Sequence, residues 1–363
     1  KLKYILEYRS AFNRFKSDKW AVGSFSFIIG IAFVAIFAYP LSPDKTMYGN
    51  QMHLSIHSQP PGFSCQVIVI PQQEIQDKDS FFTGHLNPVE EIPIQDVRWF
   101  EDALEYKRFG NATNYYEKIY FSDFPKKVTR SDIEENYIHK KHFLLGTDKY
   151  GRDLLSRLII GSRVSISIGF VAVFISLLIG VFLGAIAGYF GGWIDRLIMW
   201  LINIVWSIPT LLMVIAITLA LGRGFWQVFV AVGLTMWVEV ARLVRGQVKS
   251  IKEQPFAQAG SALGFSRSRI LMNHILPMII APLIVISAAN FASAILMESG
   301  LSFLGIGAQP PMPSWGGMVK DHFRYLLLGK PYLALLPGLA IMSLVLAFMM
   351  LGNSLRDILD VRR

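Results

Sequence analysis

The sequence predicts an all-α integral membrane protein of six transmembrane helices, with a small α/β domain inserted outside the membrane after the first helix. Three observations predict it. The 363 residues are 53% hydrophobic and only 17% charged, with a mean hydropathy of +0.41, a balance that a soluble core does not need. The apolar residues are gathered into long runs, several of about 20 residues, the length that crosses a bilayer. Between the first and second runs stand residues 42–145, which are polar, mixed in charge and punctuated by Pro60, Pro61, Pro71, Pro88, Pro93 and Pro125.

The net charge is +9 and the isoelectric point about 9.5. The basic residues flank the apolar runs, as positive-inside sorting requires, so the charge reads as membrane topology and no nucleic-acid partner is expected. The single cysteine, Cys65, cannot form an internal disulfide. The chain has no Walker A pattern, no HExxH and no CxxC pair. It shows no sign of hydrolysing nucleotide itself or of holding a cofactor or metal.

Residues 1–19 are basic, with Lys1, Lys3, Arg9, Arg14, Lys16 and Lys19. Tyr4, Ile5, Tyr8, Phe12 and Phe15 recur at roughly helical spacing, which predicts an interfacial helix on the cytoplasmic face. Residues 20–41 form the first span. The run is too long for a signal peptide and lacks a small-residue cleavage site, so an uncleaved helix is expected. In the insert, Gln66–Ile70 reads as a strand, and Ile94–Tyr106 and Arg130–Tyr137 read as helices. Asn111-Ala-Thr113 fits a glycosylation sequon, a short pattern that carries no weight here.

Residues 146–363 hold five more spans: 166–189, 196–221, 226–244, 278–297 and 332–351. Pro209 removes a helical hydrogen bond inside the third span and should kink it. Gly169, Gly180, Gly184 and Gly188 recur on the second span at about helical-face spacing and predict a close helix contact. Ahead of that span, Thr147 or Asp148 is expected to cap a helix whose polar face carries Arg152, Asp153, Arg157 and Arg163.

The polar loop 246–277 lies between the fourth and fifth spans. Phe256–Leu263 is helix-compatible and rich in small residues, Ala257, Ala259, Gly260 and Ala262. Gly264 should end that helix at positive φ, and Ser266 should cap a second helix opening at Arg267. With the first residues inside, six spans place this loop, Arg196, Arg356, Arg362 and Arg363 on the cytoplasmic side and the insert outside. Only Arg223, Lys320, Arg324 and Lys330 fall on the short outer loops, an asymmetry that supports the orientation.

Two acids lie at or near membrane depth. Glu239, three residues before Arg242, is expected to pair with it near the cytoplasmic end. Glu298 closes the fifth span, either as a functional intramembrane acid or as a helix-end acid facing the outer interface. Gly307–Gly317, with Pro310, Pro311 and Pro313, is irregular backbone. If it dips into the membrane it must be buried in protein or line a cavity.

Three segments carry a family resemblance, one of them Leu301-Ser302-Phe303-Leu304-Gly305, Gly307, Pro310-Pro311 and Pro313-Ser314-Trp315-Gly316, which resembles the outer-gate segment of ABC importer permeases. Gly146-Thr147-Asp148, Gly151-Arg152-Asp153, Ser156-Arg157, Gly161, Arg163 and Ser165 resemble the segment before the second span in the dipeptide/oligopeptide (DppC/OppC-like) group of ABC importer permeases. Gln258-Ala259-Gly260, then Gly264, then His274-Ile275-Leu276-Pro277 resemble, without a gap, the cytoplasmic E-A-A loop of such permeases. Gln stands for Glu, Gly for Ala, and His at the Ile position.

The resemblance implies the type I importer permease fold and a bacterial inner-membrane, multi-pass subunit with both termini in the cytoplasm. It implies that Ala257, Gln258, Ala259, Gly260, Gly264, His274, Leu276 and Pro277 form a coupling loop seated in an ATPase groove. Glu298, Gly305, Gly307, Trp315 and Gly316 would belong to an outer gate. The implied partners are a second similar permease, two cytoplasmic ATPases that hold the ATP and magnesium, an extracytoplasmic substrate-binding protein, and the lipid membrane. The implied cargo is a di- or oligopeptide, with nickel, glutathione or an antibacterial peptide as alternatives.

Two other classes are weaker. An ion-coupled secondary transporter needs buried ion or proton sites, whereas the second, third and sixth spans show no charged residue mid-membrane. A membrane-anchored receptor has no use for a glycine-hinged cytoplasmic loop.

Overall fold

The computed structural model describes residues 12–70, 83–85, 90–111, 115–124, 128–222 and 224–359. Helix α1 (Lys19–Ile36) and the short α2 (Ala38–Leu41) lead to an insert built of β1 (Phe63–Ile70), β2 (Glu90–Trp99), β3 (Ala103–Arg108), β4 (Glu117–Tyr120), α3 (Arg130–Asn136) and β5 (Ile138–Phe143). There follow α4 (Leu154–Phe190), α5 (Gly192–Ser207), α6 (Thr210–Leu221), α7 (Phe225–Lys252), α8 (Pro255–Ala262), α9 (Arg267–Ile270), α10 (Ile280–Leu304), α11 (Trp315–His322) and α12 (Tyr332–Leu359). The chain divides into two compact units, one of Lys1–Ala32, Val164–Gln309 and Gly338–Arg363, the other of Phe33–Arg163 and Pro310–Pro337.

Among the described residues, five helices are long and apolar enough to cross a membrane: α1, α4, α7, the stretch Arg267–Leu304 that runs from α9 into α10, and α12. The pair α5 and α6 makes a sixth if it counts as one span. The expected kink at Pro209 is in fact a 92° break. Ile208 is extended, as a residue before proline prefers, and Pro209 has no N–H with which to continue the ladder. Of the basic interfacial helix, residues 1–11 lie outside the described residues, and 12–17 are helical. Asp18 starts α1 afresh, its carboxylate accepting from the N–H groups of Trp20 and Ala21 at 2.9 and 3.3 Å.

In the first unit the glycine contact is close. A Cβ on Gly180 would lie 2.5 Å from Val240 Cβ, one on Gly184 2.5 Å from the Ala241 carbonyl oxygen, and one on Gly188 2.7 Å from the Arg245 carbonyl oxygen. The backbone of α4 therefore rests directly on α7. Gly169 meets the ring of Phe291 instead, and that ring stacks on Phe348 at 4.4 Å. Asp195 accepts two hydrogen bonds from Arg245, at 2.5 and 2.6 Å, fixing α5 to α7.

In the second unit the insert is a five-stranded antiparallel sheet of order β4-β3-β2-β1-β5. Ile68, Ile92, Ile94, Leu104, Tyr106, Ile119, Phe124 and Ile133 form its core. The strand at 66–70 and the helix at 130–137 stand as expected, the latter capped by Thr129. Ile94–Tyr106 is not a helix. It is the end of β2, a turn, and most of β3. A register shift between Ile94 and Asp96 breaks the period-two alternation that marks a strand, and pairing with β1 and β4 decides the conformation. The sequon at Asn111 to Thr113 lies partly outside the described residues.

Candidate functional site

The polar loop after α7 is built as its residues require. Pro255 opens α8 at a position where no N–H is needed. Gly264, at φ +77°, ends it. The Phe265 N–H donates to the Gly260 carbonyl at 3.0 Å and the Gly264 N–H to the Ser261 carbonyl at 3.1 Å, the two bonds of a Schellman cap. Ser266 then caps α9, its hydroxyl accepting from the Arg269 N–H. Beyond α9, Leu271–Ile275 is one π turn and Leu276–Ile279, containing Pro277, one 3₁₀ turn.

The loop residues divide by face. Ala257 and Gly260, one turn apart, are buried beneath α8. Gln258 and Ala259 are exposed, with Phe256 beside them and Leu263 74% exposed. Gln258 turns back to the Glu253 carbonyl at 3.0 Å. His274 and Leu276 are half-buried: His274 lies against Phe265, and Leu276 packs on the core that holds Val248, Ile270 and Ile275. Pro277 is exposed.

The segment at 146–153 is not the polar face of a surface helix. Thr147, Asp148, Arg152, Asp153 and Arg157 are all buried. Asp148 accepts from the Tyr150 and Arg152 N–H groups at 2.8 and 3.0 Å and from the Arg152 guanidinium at 2.6 and 2.7 Å. Arg152 also donates to Asn50 at 3.0 Å. Thr147 donates to the Ile56 carbonyl and accepts from the Gln59 N–H at 2.9 Å. The helix cap is Asp153, which accepts from the Ser156 N–H at 2.8 Å and from its hydroxyl. Burial pushes the Asp153 carboxyl up. Gly146 and Gly151 have φ of +81° and +73°, and a Cβ on either would strike backbone. This segment is a buried polar knot that locks the loop before the insert onto the start of α4.

At the other end of α10, Glu298 is 1% exposed, so it does not face the outer interface. It accepts from the Ser302 hydroxyl at 2.6 Å, and that hydroxyl accepts from the Ala308 N–H at 3.2 Å. Gly305, at φ +81°, ends α10, and Gly307 folds onto Ser302, where a Cβ would lie 2.2 Å from Oγ. In the second unit, Trp315 is buried beside Gly316. Its indole N–H donates to the Leu158 carbonyl at 2.9 Å, and Gly161 lets the ring approach. The outer-gate candidates thus form two clusters, one on the end of α10 and one on the start of α4.

The expected Glu239–Arg242 ion pair is absent among the described residues. Arg242 donates to Asn203 at 2.8 Å and lies 3.5 Å over the Trp206 ring, while Glu239 is exposed. Asn203 and Trp206 sit some 40 positions earlier, on α5, and no local spacing announces them. The Asp195–Arg245 bond was hidden for the same reason.

Residues 180–363 match the family described as "Binding-protein-dependent transport system inner membrane component", which is half of the chain. The chain belongs to this family. Residues 8–61 also match the N-terminal transmembrane domain of oligopeptide transport permease C. Among the similar curated proteins of the family is the dipeptide transport system permease protein DppC of Alkalihalophilus pseudofirmus, 43% identical over 215 residues, 59% of this chain and 70% of that protein. The glutathione transport system permease protein GsiD of Shigella flexneri is also 43% identical, covering 59% of this chain and 71% of that protein. An inward-facing structure of the MetNI methionine ABC transporter is similar at 20% identity and a TM-score of 0.42, covering 55% of this chain and 95% of that one. As a family member, the chain is a multi-pass membrane permease subunit. The matched region includes α7 to α10, so the loop carrying Gly264 falls inside it.

Proposed function

We propose that the chain forms half of the translocation pathway of an ATP-driven importer for di- or oligopeptides. The observation that carries this is the Gly264 loop. It places a short helix with an exposed apolar knob, Phe256 and Leu263, directly after the membrane helix α7. Such a knob on a positively flanked, cytoplasm-assigned loop suits the groove of a separate ATPase subunit. ATP binding in two such subunits would draw the loops together and switch the opening of the cavity, a rigid-body change of packed helices. The peptide cargo rests on the similarity to dipeptide and glutathione permeases. Glutathione, itself a tripeptide, is the alternative cargo.

The full assembly we infer has a second similar permease, two ATPases that bind ATP and magnesium, and an extracytoplasmic binding protein, in a bacterial inner membrane. The basic residues of the loop, Arg267 and Arg269, and Arg356 at the end of α12 suit a cytoplasmic side. Ala257, Gln258, Ala259, Gly260, Gly264, His274, Leu276 and Pro277 shape the coupling loop, and the clusters around Glu298 and Trp315 serve the outer gate. Co-purification of the tagged chain with an ATPase, followed by ATP-dependent uptake of labelled dipeptide into proteoliposomes, tests this. An assembly that retains the ATPase but imports only glutathione selects the alternative. A chain that moves peptide with a proton gradient and no ATPase overturns the reading.

A further inference from the structure

One acidic side chain in the membrane-embedded unit has no role in the account so far. Glu239 lies mid-way along α7, and its nearest sequence cation, Arg242, is committed to Asn203 and Trp206. Among the described residues no hydrogen bond or ion pair is formed by the Glu239 carboxylate. It opens into a recess of about 60 Å³ whose walls include Trp206, Ile208, Thr210, Thr235 and Met297. That volume admits a small group such as an ammonium, not a whole peptide.

A second, independent feature meets at the same place. Val205, Trp206 and Ile208 come from the end of α5, and Thr210 and Met213 from the start of α6, so the recess is built around the 92° break. Backbone that leaves the helical ladder at membrane depth is tolerated where it lines a cavity. A carboxylate on a spanning helix likewise belongs in a watered path or against a cation, not in lipid. The walls mix apolar side chains with the hydroxyl-bearing Thr210, Thr235 and Ser293, and Glu239 is the acid among them, so the recess offers an organic cation one opposite charge and a few polar contacts.

We propose that Glu239 is a charge-selecting residue of the translocation path, receiving a protonated amine or guanidinium of the cargo in the recess at the α5–α6 break. This rests on the peptide-importer reading. The cation can be the peptide's own N-terminal ammonium or a basic side chain, and the two sources call for different probes.

The test uses the complete importer, with its partner permease, ATPases and binding protein, in proteoliposomes. Three labelled tripeptides of equal length are compared: one with lysine and a free amino terminus, its N-acetylated form, and a form with alanine for lysine. Wild type, Glu239→Gln and Glu239→Asp are assayed for initial uptake under ATP. The expected result is a roughly tenfold fall in uptake of the lysine peptide relative to its alanine form in Glu239→Gln, with the ratio recovered in Glu239→Asp. If instead the free-amine to acetylated ratio falls, the N-terminal ammonium is the bound group. Ratios unchanged in Glu239→Gln overturn the inference and leave the importer reading standing. Loss of the partner permease from Glu239→Gln during purification also overturns it, because the carboxylate would then be pairing across the subunit interface. A wild-type complex that imports none of the three peptides overturns the peptide reading and this inference with it.

Discussion

Gly151 rests on the backbone of His53: a Cβ there would lie 1.8 Å from the His53 carbonyl oxygen. Gly151 is also at φ +73°, where a side chain is strained even in open space. Gly151→Ala must therefore move a peptide group inside the knot around Asp148, at a cost of about 2–4 kcal/mol. The expected outcome is a clear drop in the melting temperature of the purified protein, measured by scanning fluorimetry. A melting curve that matches wild type contradicts the packing described.

Gly264 presents the opposite case. It has positive φ, yet no atom lies within 4 Å of its absent Cβ. Any penalty is conformational, so the identity of the substitute decides. Gly264→Val should cost about 1–3 kcal/mol locally, whereas Gly264→Asn should be far milder, because asparagine visits the left-handed region. We expect normal membrane abundance for both, with weakened ATPase association and lost uptake for valine only. Equal uptake in the two variants removes Gly264 from coupling.

Gly260 sits inside α8 with ordinary helical backbone, and a Cβ would lie 3.4 Å from Phe265 Cδ2, an ordinary contact. Gly260→Ala should fit and stabilise α8 by up to about 1 kcal/mol. Hydrogen exchange over residues 255–263 should slow in this variant. Faster exchange there means that the buried face of α8 is fuller than described.

Glu91 of β2 lies 3.3 Å from His53 Nε2 and 2.5 Å from Lys141 Nζ. Burial alone would raise its carboxyl, but the adjacent His53 ring and the charge and hydrogen bond of Lys141 outweigh burial and hold it down to about 2, against an ordinary 4.5. A depressed acid stabilises the fold where the unfolded chain is also ionised, above about pH 4.5, by roughly 3 kcal/mol. That contribution fades as pH falls from 4.5 towards 2. The melting temperature of Glu91→Gln should lie below wild type at pH 7, and the gap should close through that window. A gap as large at pH 2.5 as at pH 7 rules out the Glu91 titration as its source.

Local chemistry was legible in the sequence, and long-range pairing was not. Gly264, Ser266 and the α8–α9 turn were readable because a cap is decided by neighbours a few residues apart. The glycines of α4 were readable because a close helix contact needs no side chain on one side, and their spacing shows which side. Ile94–Tyr106 was misread because a bulge disturbs the alternation and its partners lie in other strands. Asp148 looked like a helix cap and Arg152 and Asp153 like a polar helix face because nothing local reveals that Asn50, His53 and Gln59 fold over this segment. Glu239 and Arg242 looked like a pair at the right spacing, but Trp206 and Asn203 offered the guanidinium a better place.

The contact between α4 and α7 has a mechanical consequence. Where two helices meet through long side chains, those chains can change rotamer and absorb a small displacement. At Gly180, Gly184 and Gly188 there is no side chain on α4 to do so, and at Gly184 and Gly188 the surface met is a peptide carbonyl. The Lys252 ammonium adds a bond to the Tyr189 carbonyl at 2.6 Å, pinning the two helices together again at the end of α7. Only Glu253 and Gln254 separate that point from α8. A push on α8 therefore meets a joint with almost no play, and α4 and α7 take it up together as one stiff strut.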